Sequence, residues 1–294
     1  LTDNDLFVGH NTFDHLTYML RQVKTYNFGA LYGNLTMSGY PGQLHSNDDF
    51  YILFDDNFRE SASSDSVRRR RFAITETTID VFDSAVFDHV FPQSMPEFIR
   101  AVVATYLAKD GPDWVSTFLR YNSGTYNNQW MVVDMTKVDF TSSPPLEAGA
   151  LMIVEQAPGN RSVWADKTDH LVNETYWASY NKPYFPSVYD FMGYRKQEAE
   201  RGPIYSYHKG PRARIFAREH ASITDGEGME RILRFNEYLT DPLSRIPNCT
   251  TMPGGVCVPA SSSRLAIAPR GDLAPMTGFF GSDPNAIVSS DVGA

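Results

Sequence analysis

The chain has 294 residues, 42% of them hydrophobic and 21% charged, with a formal net charge of −9. That length and composition suit a soluble globular domain with a full core and exclude an extended disordered chain. The acidic balance argues against a general nucleic-acid binder, which needs a basic face, and no run of about 18 apolar residues offers a membrane span.

The opening stretch LTDNDLFVGH lacks the features of a signal peptide and reads as a processed or truncated start. Residues 6–9 read as a short buried strand. Thr12 is a fair N-cap for a helix, because Leu16, Met19, Leu20 and Val23 fall at i, i+3, i+4 and i+7. Strands are expected at 31–37 and 50–54, on either side of the turn SGYPGQ. Another is expected over RRFAITETTIDVF, where Ile74, Thr75, Thr77, Thr78 and Ile79 are β-branched.

Helices follow. MPEFIRAVVATYLAKDG directs Phe98, Val102 and Leu107 toward a core, and PDWVSTFLRYN begins with Pro112 in its first turn. Strands at 130–135 and 150–156 flank the loop TSSPPLEAG. Further helices are expected at 175–180, 187–200 and 225–239, the last opened by the capping box Thr224-x-x-Glu227. The region 245–294 reads as loop. Segregated runs of strands and helices, without strict alternation, point to an α+β layered architecture with largely antiparallel sheets, in a single domain over 1–294.

Few residues announce chemistry. There is no P-loop, no G-x-G-x-x-G, no G-x-S-x-G elbow and no H-E-x-x-H. The acids of DDFYILFDD read as solvated strand ends before they read as a calcium site, so no metal or cofactor is expected. The arginine run 68–71 follows ESASSDSV and reads as a solvated loop tip, with a proteolytic nick site or an anionic lipid patch as the sharper alternatives. Cys249 and Cys257 in NCTTMPGGVC are spaced wrongly for zinc and suit a local disulfide across a Pro-Gly-Gly turn, with two free thiols as the alternative. N-x-S/T sequons at Asn34, Asn160, Asn173 and Asn248 join that disulfide in pointing to the secretory or lysosomal route. His10, Thr78, Asn181 and Arg212 are each unremarkable in isolation.

The stretches YNSGTYNNQWMVVD, VEQAPG, DKTDHLVNETYWASYNKPYF, GPRARIF and RFNEYLTDPLSR together resemble the phospholipase B-like family. GHNTFDHLTYMLR, SGYPGQLHSNDDFYIL and TETTI fit it in the same order, so the resemblance covers about 6–272. The family is similar to the N-terminal-nucleophile hydrolases. That resemblance implies a four-layer αββα sandwich with two largely antiparallel sheets, here incomplete at both ends. It also implies a precursor cleaved so that a cysteine becomes a new N-terminus, with its α-amine, of pKa near 8, as base.

By the same resemblance, His10 lies beside the nucleophile, Thr78 near the reacting carbonyl, Asn181 in the oxyanion hole, and Arg212 completes the pocket. Phe13 stands where better-known members carry tryptophan, which keeps an apolar wall and removes an N–H donor. Asn122, Thr125 and Asn128 are expected to be buried and to bond backbone near the site. The nucleophile is expected upstream of Leu1, with an N-terminal propeptide fragment, so this chain by itself is expected to be inactive. The implied function is hydrolysis of phospholipid esters or acyl amides in a lysosomal or secreted protein. The alternative is a non-catalytic lysosomal or secreted glycoprotein that binds lipid or a protein partner.

Overall fold

A computed structural model describes residues 1–12, 20–28, 33–46, 50–54, 71–245 and 261–269. The chain divides into two compact units. The first comprises Leu1–Val8 and Arg21–Tyr207, the second Gly9–Leu20 and His208–Ala294.

The first unit is built on one antiparallel sheet of seven strands whose spatial order follows the chain. The strands are β1 (Gln22–Asn27), β2 (Asn34–Gly39), β3 (Phe50–Phe54), β4 (Arg71–Thr78), β5 (Asn128–Asp134), β6 (Leu151–Glu155) and β7 (Val163–Asp166). Every pairing between neighbours is antiparallel. Among the described residues there is this one sheet. Among the described residues five α-helices belong to the same unit: α1 (Glu97–Leu107), α2 (Gly111–Phe118), α3 (Thr168–Glu174), α4 (Pro186–Phe191) and α5 (Tyr194–Arg201). An α+β architecture is therefore present.

Side chains alternate across the sheet, so each central strand feeds two cores. Phe72 and Ile74 of β4, Trp130 and Val132 of β5, and Met152 and Val154 of β6 pack with Trp114, Val115, Phe118 and the alanines of α1. Ala73, Val133, Leu151 and Ile153 face the other way, toward Leu171, Val188, Met192 and Tyr194.

Several sequence expectations shift. Residues 6–9 form no strand, Val23 lies in β1 with 81% of its surface exposed, and Leu20 is not helical; Leu16 and Met19 lie outside the described residues. In α1 the buried stripe is Arg100, Ala101, Ala104 and Thr105, while Phe98 and Leu107 stay 39% and 51% exposed. Two stripes of helical period compete there. Trp114, Phe118 and Trp130 already fill the interlayer space, so the alanine face docks closer. The helix expected at 175–180 lies earlier, as α3. The one expected over 187–200 is broken into α4 and α5 at Gly193, whose φ of 87° favours glycine. A Cβ there would also lie 3.1 Å from the Asp83 nitrogen.

The second unit holds α6 (Pro211–Glu219) and α7 (Gly226–Leu233), packed through Ile215, Ile232 and Ile267. The cap of α7 is Asp225, whose carboxylate accepts from the Gly228 nitrogen at 2.7 Å, one residue beyond the Thr224 expected from the capping box. No helix among the described residues is long and apolar enough to cross a membrane. Phe13, the arginines 68–70, Cys249, Cys257 and Asn248 lie outside the described residues.

Candidate active site

The strand alternation that builds two cores turns polar at one end of β4, β5 and β6. On the α1 face, Phe72 and Ile74 give way to Glu76 and Thr78, and Val132 and Trp130 give way to Asn128. On the other face, Ala73 and Thr75 lead to Thr77, and Val133 and Met131 lead to Gln129. Ile153 leads to Glu155, opposite Gln129. Glu76, Asn128, Gln129 and Glu155 are all buried, and buried polar groups need partners.

Thr78 ends β4 and Asn181 lies in the segment between α3 and α4. They meet across 103 positions of sequence, where Asn181 Nδ2 donates to the Thr78 carbonyl at 3.0 Å. Tyr194 Oη donates to the Asn181 carbonyl at 3.0 Å and accepts from the Asp80 nitrogen at 3.0 Å. One hydroxyl thus ties the segment carrying Asn181 to the residues just after Thr78. The hydroxyls of Thr77 and Ser179 lie 2.5 Å apart, and those of Thr78 and Tyr126 lie 3.1 Å apart. Asn181 has φ 61° and Thr175 has φ 63°. Left-handed backbone is tolerated by Asn and costly for a β-branched residue, and such strain collects at functional sites.

Glu155 is fully buried. Its Oε1 accepts from Gln129 Nε2 at 2.6 Å and from the Tyr184 nitrogen, and its Oε2 accepts from the Phe185 nitrogen at 3.1 Å. Burial pushes its carboxyl up to about 7, against the lowering effect of these bonds. Sequence reasoning gave no role to Glu155, Ser179 or Tyr194, and took Gln129 only as one polar residue of the stretch 122–129. The one legible signal was an acid directly after the apolar run LMIV.

The polar stretch 122–129 divides. Asn122 is buried. Its Oδ1 accepts from Arg100 Nη2 at 3.1 Å, Gln156 Nε2 at 3.2 Å and the Gly124 nitrogen at 3.3 Å. Its Nδ2 donates to the Ala157 carbonyl at 2.8 Å. Asn128 is buried, and with its amide turned over, the orientation its neighbours favour, its Nδ2 donates to Glu76 Oε2 at 3.0 Å and to the Asn127 carbonyl at 2.9 Å. Thr125 departs from the expectation: it is exposed, and its hydroxyl donates to Ser123 Oγ at 3.1 Å rather than to backbone. Gly124 explains the difference. Its φ of 68° and its approach to Pro158, 2.6 Å from a notional Cβ, press that point of the turn inward and send Thr125 out.

His10 and Arg212 belong to the second unit, and both are half-buried. His10 sits between Gly9, where an added Cβ would come within 2.5 Å of Leu233, and Asn11, whose Nδ2 donates to the Leu233 carbonyl. Arg212 is the second residue of α6. Of the sequons, Asn160 and Asn173 are exposed and Asn34 is half-buried at the start of β2. Among the described residues no group of three or more His, Cys, Asp or Glu could hold a metal ion.

A family model described as Phospholipase B matches residues 1–288. The chain is 39% identical over 289 residues to a Mus musculus protein named "Putative phospholipase B-like 2", covering 94% of this chain and 44% of that one. It is 37% identical over 253 residues to Phospholipase B-like 1 of Bos taurus, covering 84% of this chain and 43% of that one. The chain thus spans less than half the length of these curated relatives. On the family match and these identities, the chain belongs to the phospholipase B-like family of hydrolases.

Proposed function

We propose that this chain forms part of an acyl hydrolase that attacks phospholipid esters or acyl amides with the thiol of an N-terminal cysteine. The nucleophile comes from residues outside these 294, freed by cleavage of a precursor, and its α-amine takes the thiol proton. The observation that carries the reading is the bond from Asn181 Nδ2 to the Thr78 carbonyl. Two residues that the family resemblance assigns to one catalytic centre are held together there, in strained backbone, at the polar end of the central strands.

In this reading Asn181 donates to the oxyanion that forms on the acyl carbon, and Thr78 lines the reacting carbonyl. The roles carried over for His10, Arg212 and Phe13 rest on the resemblance: orientation of the thiol, stabilisation of charge, and an apolar wall. The reading includes a second antiparallel sheet in a four-layer αββα arrangement of a single hydrolase domain. It also includes passage through the secretory or lysosomal route, for which the exposed Asn160 and Asn173 offer glycosylation positions.

The test uses a polypeptide of the relatives' full length that contains this chain. Mature protein should release fatty acid from phosphatidylcholine vesicles or from N-acyl amides, and the preferred substrate identifies the bond class. Asn181→Ala should lower kcat by about 10²–10³-fold, the loss typical of a missing oxyanion donor, well beyond the loss of about 1–2 kcal/mol in stability expected from the left-handed backbone and the missing bond to Thr78. Binding of the vesicles without release of fatty acid or amine would favour a lipid-carrying glycoprotein instead.

A further inference from the structure

Asn181 can serve as a donor only if its left-handed backbone is held, and the segment around it is irregular from Thr175 to Phe185. Three ties fix its first part: the Thr77–Ser179 hydroxyl pair, the bond to Thr78, and Tyr194 Oη on the Asn181 carbonyl. The downstream end is fixed differently. The successive backbone nitrogens of Tyr184 and Phe185 both donate to the carboxylate of Glu155, one to each oxygen. Glu155 closes β6 next to Gln129 of β5, so the clamp stands on the sheet itself.

Resting on the hydrolase reading above, we propose that Glu155 is a positioning residue that holds Asn181 in its donating geometry by gripping the backbone of Tyr184 and Phe185.

Two features favour a clamp over simple core packing. A carboxylate is a costly choice for a fully buried position, where an apolar side chain of similar volume would serve packing better. A carboxylate sets one oxygen under each of the two adjacent backbone donors and, when ionised, turns no N–H toward them. The second feature is Gln129, whose Oε1 is buried without a hydrogen-bond partner while its Nε2 faces Glu155. Turning that amide over presents Oε1 to a protonated Glu155, which can then donate to Gln129 and still accept from both backbone nitrogens. The grip therefore survives either charge state. The titratable neighbours are Tyr207, whose hydroxyl is held protonated by burial first and then by Tyr180 and Glu155, and Tyr184, whose Oη accepts from Lys167 Nζ at 3.1 Å.

The decisive comparison sets Glu155→Gln beside the exchanged pair Gln129→Glu with Glu155→Gln, in the full-length protein. A glutamine at 155 turns an N–H toward one of the two backbone donors. The exchanged pair restores the side-chain bond between 129 and 155 but leaves an amide under Tyr184 and Phe185. Amide hydrogen exchange over 179–185 should quicken at least tenfold in both proteins, and kcat should fall about ten- to a hundredfold with KM changed less than threefold. A purely structural pair would be rescued by the exchange, with protection and kcat returned to wild type, and that result overturns the proposal. Unchanged exchange over 179–185 in Glu155→Gln overturns it as well. The hydrolase reading fails separately: if Asn181→Ala leaves kcat intact, that reading is lost, while the exchange measurement still decides whether Glu155 fixes the segment.

Discussion

Two polar networks beside one end of the central strands treat buried polarity in opposite ways. Under α1 and α2, Asn122 gathers Arg100, Gln156 and the backbone of Gly124 and Ala157, and Trp130 Nε1 donates to Gln156 Oε1 at 2.6 Å. Arg100 adds bonds to the Met95 and Phe118 carbonyls at 3.0 and 2.6 Å. This is a closed network of the sort that makes a core rigid, although left-handed backbone flanks it too, at Tyr121 with φ 56° and Gly124 with φ 68°. Across the sheet, Glu155 carries a raised carboxyl, Gln129 Oε1 has no hydrogen-bond partner, and the segment above is left-handed at Thr175 and Asn181. Complete satisfaction marks scaffold. A perturbed acid under strained backbone is the pattern that supports the site proposed there.

The largest effect expected to separate the networks is pH dependence. Glu155 titrates at 4.5 in open chain and at about 7 in the fold. Between those values the folded protein keeps a proton that the unfolded chain has lost, so stability falls as pH rises. The contribution is complete below 4.5 and gone above about 7. At about 1.4 kcal/mol per pH unit, the interval corresponds to on the order of 3 kcal/mol. Denaturant midpoints should decline from about pH 5 to 8, and Glu155→Gln should flatten that decline. A wild-type profile level over this range would erase the electrostatic contrast between the networks.

The second effect probes the closed network. Asn122→Ala strands Gln156 Nε2, one Arg100 nitrogen and the Gly124 nitrogen, while the Ala157 carbonyl keeps its bond from Ser162 Oγ; the loss should cost about 2–3 kcal/mol. Urea unfolding measures it. Activity per folded molecule should change less than threefold, because the Asn122 bonds lie on the sheet face opposite Glu155. A large fall in kcat with stability retained would place Asn122 in the reaction instead.

How much of this was legible beforehand depends on range. The central strands, the start of α2 and the α+β class followed from period-two alternation, β-branched runs and cap residues, which are local signals. The choice of buried stripe in α1 did not follow, because it was made by Trp114, Phe118 and Trp130 from other elements. Asn181 and Thr78 entered by family resemblance, since no local pattern could join residues 103 positions apart. Glu155 looked like the end of a strand. Its meaning depends on two backbone nitrogens 29 and 30 positions away.

The smallest effect is the sharpest check on reading polarity as function. Thr125 stands among the same amides and hydroxyls as Asn122 and Asn128, yet it is exposed and spends its hydroxyl on Ser123. Thr125→Ala removes one bond that water replaces at once, so the unfolding free energy should move by less than about 0.5 kcal/mol. Activity should stay within the scatter of the assay. Were this substitution to cost as much as Asn122→Ala, solvent exposure would have failed to rank these side chains. The division of 122–129 into an inward and an outward set would then need another cause than the turn that Gly124 imposes.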